Sequence, residues 1–133
     1  MKTFADFFRI CPYSAQRKVE FENFRFKHPS MLAVVIESIN TQVIDKQKLL
    51  GKFFFRFHIS DDITIGELCE IIKFKINVKI SDPLSRLTAK DKIIFFNQRI
   101  SVSEAMEIHN LYTSKHEEDG WLYLDFLIEE LNN

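Results

Sequence analysis

The chain has 133 residues, 46% of them hydrophobic and 28% charged, with a formal net charge of −1. Fourteen are Phe, against three Gly and three Pro, which excludes a disordered, collagen-like or low-complexity chain. The length fits one domain able to bury a sizeable core.

Phe4 to Ile10 reads as a short helix stopped by Pro12. Ser14 offers an N-cap for a second helix through about Lys27, with Phe21 and Phe24 on its apolar stripe. Met31 to Ile36 is a short apolar run, largely β-branched, expected as a buried strand. Asn40 to Gly51 is polar and basic and reads as a loop. Phe53 to Ile59 alternates from there on, with odd positions apolar and Arg56 and His58 on the other face, and predicts a second strand. Thr64 and Glu67 form a capping box for a helix whose apolar face is Ile65, Leu68, Ile72 and Ile76, with Ile71 beside it. Pro83 lies in the loop that follows. Ile93 to Phe96 is a third strand. Ser101 to Glu104 suggests a cap for a short helix through about Asn110. Trp121 to Phe126 is a fourth strand, entered through Gly120. Most of the fourteen Phe are expected to serve packing.

Strand, strand, capped helix, strand, strand is the β-grasp order, an α+β fold in which a mixed four-stranded sheet packs on one main helix. Two N-terminal helices precede it. The division expected is an N-terminal helical extension, residues 1–28, and a grasp domain, residues 29–133, forming one compact unit.

Charge is unevenly spread. Residues 1–30 carry six Lys or Arg against three Asp or Glu, whereas residues 104–133 carry one against eight. Such halves suggest separate interaction faces, although solvated faces give the same count. Cys11 and Cys69 lack zinc or CxxC spacing, so neither a disulfide scaffold nor a metal site is expected, and a reducing compartment fits. Asp6 and Arg9 interrupt the N-terminal apolar residues, which argues against a signal peptide. No apolar run reaches membrane-span length. The expectation is a soluble cytoplasmic protein.

Catalytic signals are weak. There is no phosphate loop, zinc pair or nucleophile elbow. Cys69 sits mid-helix and reads as a packed thiol. His28, His58, His109 and His116 are scattered, and His116 to Asp119 reads as solvated acids rather than a metal site. No enzyme, cofactor or metal is expected.

Two binding readings remain. The aromatic strand Phe53 to Ile59, with Arg56 among its rings, is the pattern of a single-stranded RNA platform. The element order opposes this, because the RNA-recognition module needs a helix after its first strand. Neutral net charge opposes it too. The other reading is peptide capture: the second strand of a β-grasp sheet commonly lies at an edge, where an extended ligand adds as a further strand. Arg56 and the loop lysines Lys46, Lys48 and Lys52 would suit an acidic peptide bearing an aromatic anchor.

The segments "KHPSMLAVVIES", "HISDDITIGELCEIIKFKI", "IIFF" and "KHEEDGWLYLDF" together resemble the autophagy ubiquitin-like modifiers. These are the relatives of microtubule-associated protein light chain 3 and the GABA-receptor-associated protein. The match covers about Tyr13 to Asn133 and is most specific at Asp62 to Leu68 and Glu118 to Tyr123. It implies a ubiquitin-like β-grasp and a non-enzymatic adaptor, cytoplasmic or on autophagosomal membranes. Such an adaptor binds aromatic-x-x-aliphatic motifs of autophagy receptors. By position, the resemblance implies an aromatic pocket of Glu20, Phe24, Ala33, Val35, Arg56, His58 and Trp121. The aliphatic pocket would use Phe57, Ile59, Ser60, Ile63, Leu68 and Ile71. Lys46, Lys48 and Lys75 would meet acidic ligand residues. A monomer with no nucleic-acid partner is expected.

The chain departs from that family at several points. Ala33 and Ser60 stand where proline is usual, His58 replaces an aliphatic residue, and the loop after the first strand is longer. Asn133 falls at the position of the family's terminal glycine, whose carboxylate is joined to phosphatidylethanolamine. Conjugation enzymes and that lipid are therefore expected as partners only of a glycine-ended form.

Overall fold

The computed structural model describes residues 11–39 and 54–130. The helix expected at Phe4 to Ile10, the loop lysines and Asn133 lie outside them. Helix α1 spans Ser14–Lys27, strand β1 Met31–Ser38, strand β2 Phe54–Ser60 and helix α2 Ile65–Val78. A short 3-10 turn, Pro83–Ser85, leads to β3 (Asp91–Asn97), β4 (Ile100–Ser101), α3 (Ile108–Lys115) and β5 (Leu122–Glu130).

The β-grasp order holds, with one strand more than expected. Among the described residues the sheet has five strands in the order β2-β1-β5-β3-β4, with β1 and β5 parallel and the other pairs antiparallel. The addition is the two-residue β4, folded back on β3 by Gln98 and Arg99 with φ of 49° and 70°. A two-residue hairpin needs such left-handed angles, and neither residue is the Gly or Asn that would have announced it.

β1 is buried on both faces, which is why it reads as a continuous apolar run rather than an alternating one. Val34 and Ile36 join Ile65, Leu68, Ile72 and Ile76 of α2, Ile93 and Phe95 of β3, and Leu122, Leu124 and Phe126 of β5 in the main core. Ala33 and Val35 point the other way, into a second cluster with Cys11, Trp121 and Tyr123 that is covered by Phe21 and Phe24 of α1. The sheet is thus packed on both faces, by α2 on one and by α1 on the other.

The capping box of α2 is formed. The Thr64 hydroxyl accepts from the Glu67 amide at 3.2 Å, and the Glu67 carboxylate accepts from the Thr64 amide at 3.0 Å. The other two expected caps differ. Tyr13, not Ser14, is the N-cap residue of α1, with no side-chain cap bond. The Arg17 guanidinium instead donates to the Cys11 and Pro12 carbonyls at 3.0 Å each. The helix expected from Ser101 begins only at Ile108, because the Ser103 hydroxyl serves a local turn to the Ala105 amide. Fully buried Ile108 anchors the true start, its amide donating to the Ile63 carbonyl at 3.0 Å. Phe packing holds for Phe55, Phe95 and Phe126, but Phe26 and Phe74 are 88% and 70% exposed. Among the described residues no helix is long and apolar enough to cross a membrane.

Candidate functional site

α1 crosses the sheet with Arg17, Glu20, Phe21, Phe24 and His28 at helical spacing along its inner side. Phe24 meets the Trp121 ring edge-on at 5.3 Å, and Phe21 meets it at 6.4 Å. Trp121 is 1% exposed, and its indole N–H donates to the Arg17 carbonyl at 2.9 Å. A buried indole needs such an acceptor.

The approach of α1 requires glycine at position 120. Gly120 has φ +94°, and a Cβ built there would lie 2.4 Å from the Phe21 ring. Beside it, Asp119 is buried although the sequence placed it among solvated acids. Its carboxylate accepts from the Arg17 guanidinium at 3.0 Å, the Trp121 amide at 3.0 Å and the Tyr123 hydroxyl at 2.5 Å. Burial, reinforced by that bond to Asp119, pushes the Tyr123 hydroxyl pKa far above its usual value. Arg17 and Asp119 thus position Trp121. An Asp immediately before Gly-Trp was the available signal for this network, but its partner lies in a distant helix.

Between α1 and β2 this packing leaves a cavity of 320 Å³, lined by Glu20, Asn23, Phe24, Lys27, His28, Arg56 and Trp121. At its rim Arg56 and Glu20 form an ion pair of 3.3 Å, both side chains more than a third exposed. Of the seven residues expected for an aromatic pocket, Glu20, Phe24, Arg56 and Trp121 line this cavity. Ala33 and Val35 are fully buried in the layer beneath. The backbone pairs His58 with Ala33, but its side chain lies outside the described positions. Asn23, Lys27 and His28 were not expected; Asn23 and Lys27 follow Glu20 at i+3 and i+7, a spacing that puts them on its face.

The six residues expected for an aliphatic pocket do not share one opening. Ile59 and Leu68 are core residues, 3% and 0% exposed, and Ile63 packs half-buried against that core. Their alternation and helical phase turn them inward beneath α2. Ser60 is exposed, its hydroxyl bonded to the Asp62 carboxylate. The side chain of Phe57 lies outside the described positions. Ile71 does reach the surface and, with Lys75, lines a groove of 680 Å³ along α2. The Phe55 ring of the proposed RNA platform is 9% exposed and packs against the main core. Among the described residues no cluster of His, Cys, Asp and Glu is arranged to hold a metal.

Among the described residues β2 is the end strand of the sheet, with β1 paired to one side of it and no described strand on the other. A cavity with aromatic walls and a charged rim beside the end strand of a sheet can take an extended segment that places one ring in the cavity.

The family model described as Autophagy protein Atg8 ubiquitin like matches residues 16–131. Autophagy-related protein 8 of Schizosaccharomyces pombe is 25% identical over 114 residues, covering 84% of this chain and 80% of the relative. Autophagy-related protein 8e of Arabidopsis thaliana matches with the same identity and coverage. Among solved structures, Trypanosoma brucei ATG8 superposes with a TM-score of 0.68 at 17% identity, covering 91% of this chain and 92% of that one. Plasmodium falciparum Atg8, solved in complex with a Plasmodium falciparum Atg3 peptide, gives 0.64 at 25% identity, covering 85% and 88%.

Proposed function

This chain belongs to the Atg8 ubiquitin-like family of autophagy proteins, and from that premise we propose that it is an adaptor that captures peptide motifs along the outer side of β2. Members of the family are ubiquitin-like modifiers and adaptors rather than enzymes, and the chain shares that character. In the proposed complex an aromatic-x-x-aliphatic segment of an autophagy receptor adds to β2 as a sixth strand. Its aromatic ring enters the cavity over Phe24 and Trp121. Acidic neighbours meet Arg56 and Lys27.

The observation that carries this reading is the 320 Å³ cavity lying beside the end strand β2, with Trp121 in its wall and the Glu20–Arg56 pair at its rim. The ligand's main-chain groups would pair along the outer side of β2, while the ring supplies most of the apolar burial. The Atg3 peptide bound by the Plasmodium relative makes a segment of an Atg3-type partner a second candidate ligand. The site of action proposed is the cytoplasm and autophagosomal surface.

Trp121 is the sole Trp of the chain, so its fluorescence reports the cavity directly. Titration with an acidic aromatic-x-x-aliphatic peptide is expected to shift that emission, together with the amide signals of β2, and to saturate. If β2 stays silent at millimolar peptide, the adaptor reading is wrong.

A further inference from the structure

α2 runs out into a loop that the fold braces at several points. Ile80 packs against the main core and Leu87 is buried in it, so apolar anchors fix both ends. The Asn77 side chain ties α2 to the far end: its amide donates to the Leu87 carbonyl at 3.0 Å, and its oxygen accepts from the Leu87 amide at 2.8 Å. Across the neck of the loop the Arg86 guanidinium donates to the Ile80 carbonyl at 3.2 Å. At the tip Pro83 opens the 3-10 turn, and the Asp82 carboxylate accepts from the Leu84 amide at 3.0 Å. Proline and a preceding aspartate both preset such a turn.

Leu84 on this turn is 91% exposed. One exposed leucine by itself is ordinary, but a braced one loses little further freedom on binding, and this one follows a second apolar feature. Ile71, Phe74 and Val78, spaced i, i+3 and i+7 along the outward face of α2, are 37%, 70% and 69% exposed. They line the 680 Å³ groove, with Phe55 of β2 at its side. A groove and a knob thus follow one another along residues 71–84. Exposed apolar surface of this kind marks interaction sites. It is also self-complementary: about a two-fold axis, the knob of each copy meets the groove of the other.

Charge and area both suit a second copy. Docking about a two-fold axis would set a face of one sign against itself, but this face carries both. Glu70 and Lys75 stand on the groove, Asp82 and Arg86 beside Leu84. With Leu84 seated, Arg86, two residues on, comes to a rim that carries Glu70, whose side chain is 75% exposed. Covering Ile71, Phe74, Val78 and Leu84 removes roughly 500 Å² of surface per copy. The total, about 1,000 Å², is the lower limit for a specific interface and suits a transient pair.

We propose that the chain associates reversibly with itself as a two-fold pair in which Leu84 of each copy enters the α2 groove of the other. The monomer expected from the sequence is then the dilute state. The pair leaves the α1 cavity open, since that cavity lies on the other face of the sheet, and the inference stands independently of the adaptor reading.

The test uses the full chain, isotope-labelled and without peptide, followed by NMR and sedimentation from about 10 µM to about 1 mM. The amides of Phe74, Val78 and Leu84 should shift with concentration, and the sedimenting mass should approach that of two copies and stop there. Leu84→Ser and Phe74→Ser, both at sites too exposed to disturb the fold, should each weaken pairing about tenfold or more. The first variant lacks the knob and keeps the groove; the second does the reverse. A mixture of the two can form one intact contact, so it should associate more strongly than either variant alone. A chain that stays single at millimolar concentration overturns the proposal, as does pairing that survives either substitution. Growth beyond two copies, or no gain on mixing, overturns the two-fold exchange. An acidic aromatic-x-x-aliphatic peptide should leave the three amides of the dilute chain unmoved, whatever Trp121 does. A response there assigns the face to that ligand and overturns the pair.

Discussion

Arg17 and Asp119, 102 positions apart, meet in an ion pair of 3.0 Å that fastens α1 to the turn entering β5. The pair is nearly buried, with side-chain exposures of 13% and 4%. Asp119 also holds the Trp121 amide and the Tyr123 hydroxyl, while the Arg17 carbonyl holds the Trp121 indole. The wall of the cavity is therefore fixed by groups that lie behind it.

Asp119→Ala is expected to lower stability by about 3–5 kcal/mol, because a nearly buried guanidinium and two buried donors lose this acceptor together. Asp119→Asn keeps an acceptor and should cost less. Denaturant unfolding monitored by Trp121 emission measures both. A red-shifted native spectrum in the Ala variant would show that the indole has gained water.

Gly120→Ala should cost on the order of 2–4 kcal/mol from two sources, the positive φ and the Phe21 ring. The two are separable. Adding Phe21→Ala to Gly120→Ala removes the clash but not the backbone strain, so the double variant should lose less than the sum of the single losses. Strict additivity in thermal or denaturant unfolding would count against the close approach.

The fold was legible where local chemistry and tertiary structure agree. Thr64 and Glu67 announce α2 because the box is closed by residues three apart. Gly120 marks the entry to β5 because only glycine accepts its φ without strain. The β3–β4 hairpin was invisible because Gln98 and Arg99 take left-handed angles that their side chains disfavour. Half of the aromatic cavity was legible by position, through Glu20, Phe24, Arg56 and Trp121. The Arg17–Asp119 tie was not, since nothing local relates residues so distant. The exposure of Phe74 was not legible, because periodicity shows that a helix has an apolar face and says nothing of apolar residues outside it.

Cys69 links stability to alkaline pH. Its thiol is buried, donates to the Ile93 carbonyl at 3.3 Å, and has its pKa pushed from 9.0 up to about 11, chiefly by burial and next by the charge of Glu104. Above pH 9 the unfolded thiol loses its proton while the folded one keeps it, so the unfolded state binds fewer protons and stability falls as pH rises. The loss runs from pH 9 to about 11 and is on the order of 3 kcal/mol. Cys69→Ala should flatten this part of the profile. Tyr123 shifts in the same direction and extends the decline above pH 10. A profile from pH 8 to 11 unchanged by Cys69→Ala would refute the assignment.

Arg56 gives the sharpest separation of binding from folding. Its pair with Glu20 is exposed on both sides, and such pairs contribute about 0–1 kcal/mol to stability. Arg56→Glu places a second carboxylate beside Glu20 and opposite an acidic ligand, so binding of an acidic motif peptide should weaken by about tenfold or more. Unfolding should move by no more than about 1 kcal/mol. A charge in the aliphatic region cannot serve this purpose: Ile59 is 3% exposed, and Ile59→Asp would bury an unpaired carboxylate and unfold the grasp. Raising salt should erode the wild-type affinity toward that of Arg56→Glu, since a rim charge is screened while ring burial is not. Equal affinity of the two proteins at low salt would mean that the ligand does not pass Arg56, and the cavity at the β2 edge would then not be the binding site.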